Sequence, residues 1–198
     1  MSGATGVATV GSGTGVVTGV SAGTSTISYI LPTGCFATQV ITVNPLPATI
    51  SGATNVCQLL TTTFTNATSG GLWSSSNSNA TVGSGTGIVT GITAGSSVIT
   101  YTLPTGCIAT ANITINTSPA PISGTLSACI STSRTLTNTT SGGIWTSSAP
   151  GIATIGSTTG VVTAGSTAGT STISYTVAGC PALAMFVVNG SPAGITGV

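Results

Sequence analysis

The sequence predicts an all-β chain of tandem β-sandwich repeats, each about 72 residues long and cut mid-unit at both ends of the chain. Three observations carry that prediction. The string ATVGSGTGVVTGVSAGTSTISYILPTGC at 8–35 returns as ATVGSGTGIVTGITAGSSVITYTLPTGC at 80–107 and as ATIGSTTGVVTAGSTAGTSTISYTVAGC at 153–180. Runs rich in Val, Ile, Thr and Tyr alternate with Gly, Pro, Ser and Asn, the punctuation of short strands. No window long enough for a helix shows helical periodicity.

A second block, ISGATNVCQLLTTTFTNATSGGLWSSS at 50–76, matches ISGTLSACISTSRTLTNTTSGGIWTSS at 122–148. Together the blocks mark one complete unit over 48–118 and another over 119–190. Residues 1–47 read as the C-terminal part of a unit, and 191–198 as the first strand of a further one. In this register Met1 aligns with Trp73 and Trp145.

Taken in order through the middle unit, the expected strands are ATISG, TTTFTN, GGLWSS, ATVGS, GIVTGI, SSVITYTLP and IATANITIN. Pro45 and Pro47 flank the first of these, as Pro119 and Pro121 do in the next unit. In SVITYTL the residues alternate, with Val98, Thr100 and Thr102 on one face and Ile99, Tyr101 and Leu103 on the other. That is the pattern of a strand with one face buried. About seven short strands separated by regular turns suggest a sandwich.

Composition excludes whole classes of function. The 198 residues contain one basic residue, Arg134, and no Asp, Glu, His or Lys. Charged residues are 1% of the chain, against roughly 25% in an ordinary soluble domain. General acid–base catalysis draws mainly on the four missing types, so the expectation is no enzyme and no catalytic residue. Calcium and magnesium sites need carboxylates, zinc needs close Cys or His pairs, and neither pattern is present, so neither metal nor cofactor is expected. One Arg cannot supply the several phosphate contacts of a nucleic-acid binder, and Arg134 reads as a solvated surface position. The longest apolar run, Ala182 to Val188, is far short of the roughly 20 residues of a membrane-spanning helix. No charged n-region followed by an apolar stretch opens the chain, so no signal peptide is expected within it. GSGTG at 11–15 and 83–87 lacks the G-K-[ST] of a phosphate loop and reads as a turn.

SGGLWSSSNSNATVGSGTGIVTGITAGSSVITYTLPTGC resembles the bacterial immunoglobulin-like repeats of group 2 and the related PKD-like surface repeats. The shared features are G-x-W-x-S-S, an A-T-V strand, the G-I-V-T-G-I-T-A-G core and a strand ending in Y-T. The resemblance implies tandem Ig-like sandwiches in stalks, adhesins or fibres on bacterial surfaces.

The cysteines are Cys35, Cys57, Cys107, Cys129 and Cys180. Within the complete units the expected bridges are Cys57–Cys107 and Cys129–Cys180. Each would contribute roughly 4 kcal/mol in the chain-entropy model. Cys35 is left unpaired, or paired outside this chain, and the compartment is expected to be oxidising and extracellular. Trp73 and Trp145 are expected in the sandwich core, as in immunoglobulin domains; a carbohydrate-stacking platform is the alternative. Tyr29, Tyr101 and Tyr175 recur in register and are expected at the core or its rim.

Near-zero net charge removes the repulsion that holds soluble proteins apart, and the strand edges carry no guarding Lys. The reading that follows is a non-catalytic structural repeat of a self-associating extracellular fibre, sheath or filament. Its partners would be copies of itself, with half-repeats completed by strands of a neighbour. The alternatives are spacer repeats of a bacterial cell-surface adhesin and a carbohydrate- or protein-binding Ig-like module, including one on a phage surface.

Overall fold

In the computed structural model residues 1–191 are described, and every regular element among them is a β-strand. The chain opens with β1 (Ala8–Val10), β2 (Val17–Gly19), β3 (Gly23–Ile30) and β4 (Phe36–Val43), in which β1 pairs with β2 and β3 with β4. Next come β5 (Asn55–Cys57), β6 (Thr61–Thr63), β7 (Leu72–Ser75), β8 (Ala80–Val82), β9 (Ile88–Gly91), β10 (Gly95–Thr102) and β11 (Ile108–Asn116). They form a four-stranded sheet in the order β5-β11-β10-β7 and a three-stranded sheet in the order β6-β9-β8.

The same plan then repeats with β12 (Ser127–Cys129), β13 (Ser133–Thr135), β14 (Ile144–Ser147), β15 (Ala153–Ile155), β16 (Val161–Ala164), β17 (Gly169–Val177) and β18 (Cys180–Asn189). Their sheets are ordered β12-β18-β17-β14 and β13-β16-β15. Four strands facing three is the Ig-like sandwich count. The short β5 and β12 lie parallel to β11 and β18.

Alternation decides what is buried. Along β10, Ser97, Ile99 and Tyr101 turn inward while Val98 stays outside. Ile113 and Ile115 of β11 and Val89 of β9 meet them, with Phe64 and Trp73 closing the core. In the second sandwich Ile173, Phe186, Val188, Val162, Leu136 and Trp145 take the same roles. Each large apolar side chain buried in this way contributes roughly 1.5–3 kcal/mol. The inward serines do not go unpaired: Ser97 bonds to Ser75 at 2.7 Å, and Ser171 to Ser147 at 2.7 Å.

Several expectations are corrected. ATISG forms no strand; its only ladder contact is a single bridge between Ser51 and Thr65, repeated as Ser123 with Thr137. Pro45 and Pro47 upstream and Gly52 at φ 146° downstream break the extended run on both sides. Met1 aligns one residue later than expected. Its amine donates to the Ser28 carbonyl and the Ser28 N–H donates back to Met1, which is the place of Ser74 opposite Thr100 and Thr146 opposite Ser174. Residues 1–47 therefore hold no counterpart of Trp73. The strand expected at 191–198 falls on residues 192–198, outside the described residues.

Candidate assembly junction

The position of each cysteine follows from the strand it ends. Cys57 closes β5, opposite Asn116 at the end of β11. Cys107 sits in the hairpin that precedes β11. The nine residues of β11, at about 3.3 Å each, put roughly 30 Å between the two. A disulfide needs Cα atoms within about 7 Å. The expected Cys57–Cys107 bridge is thus excluded by the length of one strand, and Cys129–Cys180 is excluded in the same way along β18. Cys107 and Cys129 are free thiols, as is Cys35.

The bridge that does form is Cys57–Cys180, with Cα atoms 5.6 Å apart and 123 residues of separation in sequence. It joins the base of one sandwich to the hairpin tip of the next. Around it, Asn116 Nδ2 donates to the Ala178 carbonyl at 2.9 Å, and the Cys180 sulfur lies 4.0 Å from the Asn116 carbonyl oxygen. The tip is a two-residue turn in which Ala178 (φ 49°) and Gly179 (φ 81°) are both left-handed, the geometry that suits a tight hairpin. A cavity of about 350 Å³ opens beside it, lined by residues such as Val56, Leu60, Thr62 and Asn116. It contains no acid or base, so it offers no proton-transfer chemistry.

The same contact occurs a second time. Cys107 lies 4.0 Å from the carbonyl oxygen of Asn44, the residue that stands in the first segment where Asn116 stands in the second. Its hairpin is one residue longer: Leu103 N–H donates to Cys107 O, Gly106 N–H donates to Leu103 O, and Gly106 takes φ 84°. Both loops deliver the sulfur to the equivalent asparagine carbonyl, Asn44 for Cys107 and Asn116 for Cys180.

The aromatic residues form a different arrangement. Trp73 and Trp145 are 8% and 6% exposed, each with its ring centroid 4.6 Å from Tyr101 or Tyr175. Tyr101 hydroxyl donates to the Thr68 carbonyl at 2.7 Å and accepts from the Gly71 N–H at 2.8 Å. Tyr175 does the same with Thr140 and Gly143. A Cβ on Gly71 would lie 2.5 Å from the Tyr101 ring, so only glycine lets the backbone reach the hydroxyl. Tyr29 is the correction: it is 71% exposed, because residues 1–47 supply neither the tryptophan nor the glycine loop that covers its equivalents. Arg134 is exposed, with Nε donating to the Ser127 carbonyl at 3.4 Å.

Sequence reasoning missed one device, the Asn-x-Thr loop at 66–68. Asn66 Nδ2 donates to the Ala48 carbonyl at 2.6 Å, the Thr68 N–H donates to Asn66 Oδ1 at 2.9 Å, and the Ala48 N–H donates to Thr68 Oγ1 at 2.9 Å. Asn138, Thr140 and Ala120 repeat it. The signal was the shared TN-x-TSGG string.

No family model matches the sequence, and no curated protein matches it. Among solved structures, the chain is similar to surface layer protein SbsC, domains 1–6, at 14% identity and TM-score 0.35, covering 90% of this chain and 36% of that one. It is also similar to a C-terminal fragment of intimin solved with the intimin-binding domain of its translocated receptor, at 18% identity and TM-score 0.37, covering 84% of this chain and 57% of that one. A third likeness, to Drosophila N-cadherin EC1–4, has 11% identity and TM-score 0.32, covering 97% of this chain and 65% of that one. The chain thus spans about a third of the surface-layer chain and just over half of the intimin fragment. At such identities and scores these likenesses carry no functional argument, and the Ig-like architecture stands on the strand order above.

Proposed function

We propose that this chain is a non-catalytic structural module of a self-associating extracellular fibre, sheath or filament. The observation that carries the reading is the tip-to-base junction. It is heterologous, one surface meeting a different one, and it recurs at Asn44 and at Asn116. Contacts of that kind propagate along a line unless a rotation closes them into a ring. The absence of Asp, Glu, His and Lys supports a part that does no acid–base work. A disulfide supports an oxidising compartment.

Residues 1–47 supply a second surface for self-contact. Among the described residues β4 pairs only with β3, leaving open the edge that β5 covers on β11. At the hairpin end of the same strand pair, Tyr29 and Phe36 are 71% and 72% exposed. A strand from a neighbour would complete the open edge of β4. The adhesin-spacer reading uses the same junction within one chain and needs no contact between chains. The binding-module reading loses its platform, since Trp73 and Trp145 are buried beneath tyrosines.

Electron microscopy and sedimentation of the oxidised protein test the proposal. Filaments with a regular axial repeat are the expected outcome. Monodisperse single chains at high concentration would overturn it in favour of a spacer.

A further inference from the structure

We propose that the Cys57–Cys180 bridge is a tension splice. Load pulled along the chain passes through it from the sandwich of β5–β11 straight into β18, and the strands that build most of both cores lie outside the path. This goes beyond the fibre reading and holds equally for a spacer.

The path follows from connectivity. The two cysteines are 123 residues apart in sequence, yet their Cα atoms are 5.6 Å apart. Every strand from β6 to β17 lies between them, and so do Trp73 and Trp145. Fully extended, that segment would measure roughly 400–440 Å at 3.3–3.6 Å per residue. A covalent link across its ends is the shorter route, so tension follows the link.

Both ends of the route suit a load. Ala48 enters its sandwich beside the loop that receives the Tyr101 hydroxyl, and the chain reaches the base at Cys57, opposite Asn116. Force leaves there through the sulfur. It enters the next sandwich at Cys180, the first residue of β18, and leaves at Asn189, the last. A strand at about 3.3 Å per residue is already near the limit of an extended chain. Pulled from both ends, β18 has no slack to give, and it transmits load from tip to base while still paired along its length with β17.

Without the bridge the route is different. Load would leave the first of these sandwiches through the end of β11 and reach the second at Ala120, held by Thr140 and Asn138. It would exit again at Asn189. The parallel pair β12 and β18 would then be sheared across three positions, Ser127 with Val187, Ala128 with Val188 and Cys129 with Asn189. The pair β5 and β11, also three positions long, would be sheared in the same way. Forced unfolding is governed by the unfolding rate, and the bridge takes both short parallel pairs out of shear.

The test is force-clamp stretching of the 198-residue chain, tethered by its two ends, with Cys35, Cys107 and Cys129 alkylated so that no free thiol exchanges. The clamp is set where the Cys57→Ser variant, which lacks the bridge, unfolds both sandwiches within seconds. Should that variant fail to fold, wild type reduced before stretching sets the clamp instead. Oxidised wild type should show neither unfolding step. Dithiothreitol added under load should then cut the bridge with almost no immediate change in length, because both routes run end to end through two folded sandwiches. Two separate steps should follow, together roughly 400 Å. A single jump of that size on reduction would mean the sandwiches had come apart behind the bridge, and would overturn the inference. So would oxidised wild type that lengthens as the bridgeless chain does. Filament formation is read separately by microscopy, so the fibre reading and the splice stand or fall apart from one another.

Discussion

Tyr101 shows how much of each sandwich hangs on one polar atom. Among the described residues its hydroxyl is the partner of both the Gly71 N–H and the Thr68 carbonyl, which are partly buried. Tyr101→Phe removes the hydroxyl and leaves both groups unpaired, at a cost of about 1–3 kcal/mol. Urea unfolding followed by Trp73 fluorescence should report that loss, and Tyr175→Phe should cost a similar amount in the other sandwich. Gly71→Ala would force a methyl within 2.5 Å of the Tyr101 ring; overpacking of this kind typically costs 1–3 kcal/mol. An unchanged midpoint in either variant would mean the loop relaxes freely. The serine pairs work alongside, holding an inward hydroxyl on each central strand without a buried charge.

At the scale of elements, the Asn66 loop closes the sandwich where ATISG fails to form a strand. Two of its three bonds tie Ala48 to the segment that receives the Tyr101 hydroxyl, and the third, from the Thr68 N–H to Asn66 Oδ1, holds that segment together. Asn66→Ala should therefore destabilise by about 1–3 kcal/mol, and its effect should not add to that of Tyr101→Phe, because the two share the Thr68 segment. The same bond has a chemical consequence. Asn66 lies in an N-x-T sequon, but its Nδ2, the atom a glycan would modify, is committed to Ala48. In a glycosylating host Asn112, exposed on β11, should be modified and Asn66 should not; mass spectrometry of glycopeptides checks this. The hairpins make a parallel point: three residues with glycine last, or two with both left-handed, present a cysteine equally well.

For the whole molecule, the bridge lies between sandwiches and outside both cores. Cys57→Ser should leave the unfolding of each sandwich nearly unchanged and widen the distribution of their mutual orientation, seen as a larger maximum dimension in X-ray scattering. A several-kcal/mol loss in both tryptophan-reported transitions would contradict the assignment. Charge sets the other global property. Stability changes with pH only where folded and unfolded states bind different numbers of protons. Asp, Glu and His, the side chains that ordinarily titrate between about pH 4 and 8, are absent. The melting midpoint should therefore move by no more than a few degrees across that range.

The all-β class and the inward face of each long strand were legible in the sequence because they are local, whereas the count of seven held only because β5 (Asn55–Cys57), which was not expected, stands in for ATISG. Alternation along SVITYTL specifies which side of β10 is buried, and Pro and Gly mark where strands stop. The exposure of Tyr29 was not legible, because the aligned string carries the tyrosine but not the tryptophan and glycine that cover it. Nor was the disulfide. A repeat makes the first-strand cysteines equivalent to one another and the hairpin cysteines likewise, so spacing alone cannot choose between closing one unit and joining two. By itself, then, the sequence determined an all-β chain with a single charged side chain, Arg134, and none of the Asp, Glu, His or Lys on which acid–base catalysis mainly draws. Only the tertiary structure decided which cysteines meet, because a strand of nine residues holds the two of one sandwich at opposite ends and stacking brings base and tip together.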